Sequence, residues 1–126
     1  MAPFESLRNS NLVLRWTLAI IFVWFGVDKF IHPQYWINAW YPDSVSNIVD
    51  KVGLSGREFM NIVGITETLI GISMATGLFL KWFAGLGLIL MLLGIIFFGF
   101  NEVMVRNLAI IGGFLALLLW PSRRSI

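Results

Sequence analysis

The chain has 126 residues, of which 58% are hydrophobic and 13% are charged, with a formal net charge of +2. A soluble domain of this size could not cover so much apolar surface with so few charged side chains, so the composition predicts an integral membrane protein in contact with the lipid bilayer. The sequence has no cysteine, which excludes thiol redox chemistry, and no basic run with interleaved aromatic residues, so no nucleic-acid partner is expected.

Four apolar runs have close to the roughly 20 residues that a membrane-spanning helix requires. They cover residues 12–31, 59–80, 82–100 and 103–120. Because the second and third connections are short, neighbouring spans must be antiparallel. The sequence therefore predicts an all-α fold, a four-helix up-down bundle that forms one transmembrane domain over residues 1–126.

The long connection between the first two spans begins with an aromatic segment. Tyr35, Trp36, Trp40 and Tyr41 lie just beyond the first span. Aromatic residues of this kind are typical of the membrane–water interface. We expect them to form an aromatic belt at this end of the bundle.

A short amphipathic helix is predicted after the aromatic segment. Asp43 or Ser44 is a candidate N-cap, Gly53 is a candidate stop, and we expect the helix to lie on the membrane surface or to cover one end of the bundle. The spacing of Ser55 and Glu58 predicts a capping box at the start of the second span. The apolar positions of the short helix are Val45, Ile48, Val49 and Val52.

The basic residues of the loops set the expected orientation. The side that carries the slightly larger set should face the cytoplasm, which predicts a multi-pass protein of the cell membrane with both termini cytoplasmic. On this layout the cytoplasmic side carries Arg8, Arg15, Lys81, Arg123 and Arg124, and the other side carries Lys29, Lys51, Arg57 and Arg106.

Glu67 lies in the middle of the second apolar run. An unpaired carboxylate at that depth costs several kcal/mol, so such a residue is expected to face the bundle interior and to have a partner. Gly64 and Gly71 lie one turn on either side, where small residues let a neighbouring helix approach closely. The full stripe on this face of the second span is Met60, Gly64, Glu67, Gly71, Met74 and Leu78.

The first and fourth spans offer basic partners for Glu67 on comparable stripes. Arg106 and Lys29 lie near the same end of the bundle as Glu67, whereas Arg15 lies near the other end and is expected to reach the cytoplasmic interface. We predict an ion pair between Glu67 and Arg106, with Lys29 as a second donor. The stripes are Arg15, Ala19, Phe22, Gly26 and Lys29 on the first span, and Arg106, Ala109 or Ile110, Gly113, Ala116 and Trp120 on the fourth.

Two interpretations of this intramembrane polar site stay open. The pair is either a structural ion pair that fixes helix register, or part of a small polar pocket with a function of its own. Phe22, Trp24 and Phe98 are candidate lining residues for a quinone in such a pocket. Asp28 and Lys29 also have a simpler interpretation as anchors at the membrane interface. No metal site is expected, because most acidic residues stand singly in the outer loop.

The chain resembles the DoxX family of small four-helix membrane proteins through a pattern that runs through nearly the whole sequence. The pattern consists of "R-x10-G-x-x-K-F" in the first span (Arg15, Gly26, Lys29, Phe30), "E-x3-G-x5-G" in the second (Glu67, Gly71, Gly77), and "RNLAIIGG" in the fourth (Arg106, Leu108, Ala109, Gly112).

The resemblance implies an association with other membrane protein subunits. DoxX-like proteins are associated with membrane oxidoreductase assemblies, including thiosulfate:quinone oxidoreductase, and related small proteins act in receptor assembly. We therefore expect an accessory subunit of a membrane oxidoreductase complex. A non-enzymatic scaffold or assembly factor is the alternative, and a small transporter is a third. Whether the chain is an enzyme stays open, since the sequence has no self-contained catalytic set.

Overall fold

The computed structural model describes residues 3–99 and 101–121, and this part of the chain contains helices and no strand. Four of the helices, α1, α4, α5 and α6, are long and apolar enough to cross a membrane. The predicted all-α, four-span architecture is therefore confirmed. The helices are α1 (Pro3–Ile31), α2 (Pro33–Trp40), α3 (Asp43–Lys51), α4 (Gly56–Thr76), α5 (Leu80–Phe98) and α6 (Glu102–Leu119).

The bounds of α1 differ from those of the predicted first span. The helix begins at Pro3, because the polar residues ahead of the apolar run continue the same helix. Three residues named in the sequence-based predictions, Phe100, Arg123 and Arg124, lie outside the described residues. The end of the third span at residue 100 and the placement of these two arginines on the predicted cytoplasmic side therefore stay predictions.

The ends of α4 are fixed by local backbone chemistry. The predicted capping box is present: Ser55 Oγ accepts a hydrogen bond from the Glu58 backbone N–H at 3.1 Å, and the Glu58 side chain accepts one from the Ser55 N–H at 3.2 Å. The helix stops at Thr76, earlier than predicted, because Gly77 adopts the left-handed conformation with φ 81°.

The aromatic segment after α1 forms a helix, α2, which the sequence did not predict. Pro33 is its first residue, a position where proline's missing N–H costs nothing. Three of the four predicted belt residues, counting Tyr41 just after α2, contact other helices, so the aromatic segment is docked onto the bundle and only Tyr35 is largely exposed. The ring pairs are Trp36 with Phe25, Trp40 with Phe98, and Tyr41 with Phe59, with centroids 5.7, 5.1 and 5.7 Å apart.

The predicted amphipathic helix is α3. Val49 is buried against the bundle, and Gly53 ends the segment with φ 82°. The predicted N-cap is wrong: Pro42 occupies the cap position without a side-chain hydrogen bond, and Asp43 is the first helical residue rather than the cap. The extended backbone of Pro42 starts the helix, so neither Asp43 nor Ser44 is needed as a cap.

The four long helices pack in a ring in which α1 contacts α4, α4 contacts α5, α5 contacts α6, and α6 contacts α1. The contact between α1 and α4 is the most extensive. At the centre, Phe22 and Phe114 meet edge to face with ring centroids 5.2 Å apart. The buried core consists of Leu18, Ala19, Phe22, Ile70, Met74, Ala84, Phe114 and Leu117.

Small residues explain why α1 and α4 pack so closely. A Cβ added at Gly26 would lie 2.6 Å from the carbonyl oxygen of Gly64, and one added at Gly71 would lie 3.0 Å from the carbonyl oxygen of Ala19. No side chain fits at such distances, so the two backbones are in direct contact along this seam. The seam brings the polar residues of α1 within reach of Glu67.

Candidate functional site

Glu67 on α4 forms an ion pair with Lys29 on α1. Lys29 Nζ lies 2.6 Å from Glu67 Oε1, and the two side chains are only 7% and 6% exposed. Burial of two charges is tolerated because their mutual attraction offsets part of the desolvation cost. Lys29 therefore turns into the bundle and does not anchor the helix at the interface.

Side-chain direction explains how residues at different depths can meet. A Cβ added at Gly64 would lie 3.3 Å from Lys29 Cβ, so Lys29 is level with about Gly64, three residues before Glu67, or about 4.5 Å along the axis. In a helix each Cα–Cβ bond tilts towards the N-terminus. Because α1 ends where α4 begins, the Lys29 side chain extends into the bundle and the Glu67 side chain extends back towards it.

Two aromatic rings lie close to the Lys29 ammonium. The Trp36 ring centroid lies 3.7 Å from Lys29 Nζ, and the Phe25 centroid lies 5.6 Å away. Trp36 is held by Asp28, since its Nε1 donates to Asp28 Oδ2 at 2.9 Å. The other oxygen of Asp28 lies 2.9 Å from His32 Nδ1. A continuous set of contacts therefore joins the exposed His32 to the buried ion pair.

Arg106 does not pair with Glu67, contrary to the prediction. It lies on the exposed side of α6. Since helical side chains tilt towards the N-terminus, Arg106 is also directed away from the depth of Glu67. The buried face of α6 is rotated by about one residue, or roughly 100°, from the predicted stripe. The buried residues are Met104, Ile111, Gly113, Phe114 and Leu117.

The rotation of α6 follows from a close contact with α5. A Cβ added at Gly87 would lie 2.7 Å from Phe114 Cε2, so the Phe114 ring occupies the space that a side chain at Gly87 would fill. The sequence-based argument placed Gly113 on the stripe of the fourth span that should face the other helices. Gly113 is buried, but its nearest neighbour would be the flexible end of Leu14 at 3.3 Å, so it does not set the contact.

Arg15 lies away from Glu67, at the opposite end of α4. Its Nε donates to the Met74 carbonyl at 2.9 Å, and its Nη2 donates to the Ala75 carbonyl at 3.3 Å. These carbonyls belong to the last turn of α4, where they lack partners within the helix and carry the negative end of its dipole. Arg15 is therefore a C-terminal cap for α4, and Gly77 leaves room for its guanidinium.

Lys81 has the same role for α6, and the sequence-based argument missed it. Its Nζ donates to the carbonyls of Leu117, Leu118 and Trp120 at 2.7, 2.9 and 2.9 Å. The available signal was a lone lysine beside a helix end in an otherwise apolar chain. Each of the two helices that end at this side is thus capped by a cation from a neighbouring helix.

The three aromatic residues predicted to line a quinone pocket lie in different environments. Phe22 is fully buried in the core, Trp24 is 69% exposed, and Phe98 packs against Trp40. Among the residues that the structure describes, no group of three or more His, Asp or Glu side chains is placed to hold a metal ion.

A comparison with protein families gives one decisive finding: the DoxX family model matches residues 10–100. The chain belongs to the DoxX family. The DoxX match includes Lys29 and Glu67, both partners of the buried ion pair, as well as Arg15, the cap of α4. Arg106 lies beyond its end. No curated protein and no solved structure gives a match.

Proposed function

We propose that this DoxX protein is an accessory subunit of a membrane oxidoreductase complex, to which it contributes helix surfaces and no reaction of its own. The association of DoxX-like proteins with such assemblies supports the proposal. So does the use of polar groups in the bundle: Glu67, Lys29, Arg15 and Lys81 all bind one another or helix ends.

The closure of the Lys29–Glu67 pair is the observation that carries this proposal. A catalytic or transport site needs access for a substrate, whereas these side chains are 7% and 6% exposed and lie 2.6 Å apart. An ion pair in this state fixes the register of α1 against α4. We therefore assign it a structural role in the closed bundle.

The outward face of α1 is the surface that we propose for contact with the complex. Trp16, Ile20 and Trp24 are 52%, 65% and 69% exposed. Tryptophan prefers a position where its ring has apolar surroundings and its N–H has a hydrogen-bond partner. Trp24 lies about 10 Å in from the end of α1 at Ile31, away from the polar interface. Burial against another subunit would give both.

A quinone contact is part of the proposal, and the groove along α1 is the place that we propose for it. The groove encloses about 470 Å³ and is lined mostly by apolar side chains, including Val23 and Val27, with Asp28 at one end. This volume is within the range of small-molecule sites, and apolar walls suit an isoprenoid chain.

Isolation in a mild detergent tests the proposal. The tagged protein is expected to co-purify with a dehydrogenase, and Trp24→Ala should weaken this association, whereas Ile96→Ala on the exposed face of α5 should not. Added quinone is expected to raise the melting temperature of the wild type and not that of Val27→Trp, which fills the groove from an exposed position. A chain that is repeatedly isolated alone and is indifferent to quinone would overturn the proposal.

The closed ion pair is equally compatible with a scaffold or assembly factor. The two functions differ in the consequence of deletion. Loss of an accessory subunit should lower an oxidoreductase activity while its catalytic subunit stays at normal abundance. Loss of an assembly factor should instead lower the abundance of another membrane protein.

A further inference from the structure

α2 is the least buried helix of the described chain. Every other helix buries at least one residue, whereas α2 buries none. A proline stands at each end: Pro33 is its first residue, and Pro42 follows its C-cap Tyr41. Because proline has no N–H, backbone hydrogen bonding is interrupted at both boundaries. An element with few buried contacts and interrupted ends is among the first to open.

Trp36 makes the contacts that hold α2 against α1. Its indole Nε1 donates to Asp28 Oδ2 at 2.9 Å, and its ring lies over Lys29 Nζ at 3.7 Å. The ring also meets Phe25 edge to face at 5.7 Å. The contact of α2 with α1 thus depends on one hydrogen bond and the contacts of one ring. α2 also contacts α4, and its Trp40 packs against Phe98 of α5.

These contacts lie directly above the only ion pair between α1 and α4 in residues 3–99 and 101–121. Lys29 is bound by Glu67 and covered by Trp36. The two charges whose burial costs most desolvation free energy in the bundle are therefore covered by its least buried helix. The pair has its structural role in the closed bundle, with α2 in place.

We propose that α2 is a lid over the Lys29–Glu67 pair and that the hydrogen bond from Trp36 to Asp28 is its latch. Lifting α2 exposes an ammonium and a carboxylate to the aqueous side at that end of the bundle. The open state is a polar site that can hold a group with both donor and acceptor atoms. The proposal does not depend on an oxidoreductase partner.

Amine acylation measures the lid directly, because the chain has three lysines in distinct environments. The full-length protein in lipid nanodiscs is treated with N-hydroxysuccinimide acetate, and each lysine is followed by mass spectrometry. In the wild type, Lys51 is exposed and should react fast, whereas Lys29 should react slowest. Lys81 is bound to the end of α6 and reports on the integrity of the bundle.

Removing the latch should expose Lys29 without unfolding the bundle. Trp36→Ala and Asp28→Ala are each expected to raise acylation of Lys29 by about tenfold, since each removes a contact that holds the lid closed. Trp36→Phe keeps the ring and loses the hydrogen bond, so it should also raise the rate. Trp82→Ala, which removes an exposed tryptophan near the start of α5, should leave it unchanged.

The Asp28→Ala variant decides between a lid and a fixed cover, because it leaves Trp36 in place. If Lys29 stays as protected in Asp28→Ala and Trp36→Phe as in the wild type, α2 is a fixed cover and the proposal is wrong. It is also wrong if Lys81 becomes reactive together with Lys29, since that result means general loosening of the bundle.

Discussion

Lys29 and Glu67 form a 2.6 Å ion pair across the seam between α1 and α4, although their backbones differ in depth by about 4.5 Å. The contact depends on antiparallel helices whose side chains tilt towards each other and on glycines that bring the backbones together. The ion pair therefore forms only when the two helices are antiparallel, in this register and in close backbone contact.

Loss of one partner should destabilise the bundle strongly. Lys29→Met leaves the Glu67 carboxylate buried without a cation, and the free energy of unfolding is expected to fall by about 3–5 kcal/mol. The double variant Lys29→Met/Glu67→Leu should recover most of this loss, because no charge stays buried. Unfolding in mixed micelles with increasing SDS measures each change. A double variant with a lower free energy of unfolding than Lys29→Met would contradict the account.

The glycine seam predicts opposite effects for two alanine substitutions. Gly26→Ala places a Cβ 2.6 Å from the Gly64 carbonyl oxygen, a backbone atom that cannot move aside, and should cost about 1–3 kcal/mol of unfolding free energy. Gly85→Ala meets nothing within 4 Å and should stabilise α5 by up to about 1 kcal/mol. Thermal unfolding in detergent compares the two, and equal melting temperatures would argue against direct backbone contact.

Arg15 should stabilise α4 through its last carbonyls. Arg15→Gln removes the charge and at least one of the hydrogen bonds to Met74 and Ala75, with an expected cost of about 1–2 kcal/mol. Arg15→Lys keeps the charge, so its free energy of unfolding should lie between those of the wild type and Arg15→Gln. Arg8→Gln, on the exposed start of α1, is the matched control and should not change the SDS midpoint. Comparable losses at both arginines would show a general effect of net charge.

Lys81 should protect the end of α6 from local opening. Lys81→Met removes three hydrogen bonds to carbonyls of that end, so amide exchange in the last turn of α6 should become faster. Hydrogen–deuterium exchange of the C-terminal peptide measures this, with Lys51→Met in the exposed part of α3 as control. Exchange that is unchanged in Lys81→Met would exclude the capping role.

Much of the fold follows from the sequence, because apolar length and helical spacing carry most of the information. The four spans, the capping box at Ser55 and the buried stripe around Glu67 all depend on residues close together in the chain. α2 was missed, since its aromatic residues were assigned to a membrane interface. The helical signal was available in Pro33 followed by Trp36 and Trp40 at a spacing of one turn.

The partner of Glu67 could not be chosen from depth alone. Lys29 and Arg106 both lie near the same end of the bundle, and depth favoured the arginine. The tilt of side chains towards the N-terminus sends Lys29 inwards on α1 and Arg106 outwards on α6. The rotation of α6 adds to this, and it depends on how Phe114 packs over Gly87, which no local pattern reveals.

A double-mutant cycle is the most direct test of the central claim that Lys29, and not Arg106, neutralises Glu67. Lys29→Met, Arg106→Met and Glu67→Gln are combined pairwise, and the free energy of unfolding of each variant is measured in SDS. The account predicts a coupling between Lys29 and Glu67 of at least about 1.5 kcal/mol and a coupling between Arg106 and Glu67 near zero. A larger coupling for Arg106 than for Lys29 would contradict it.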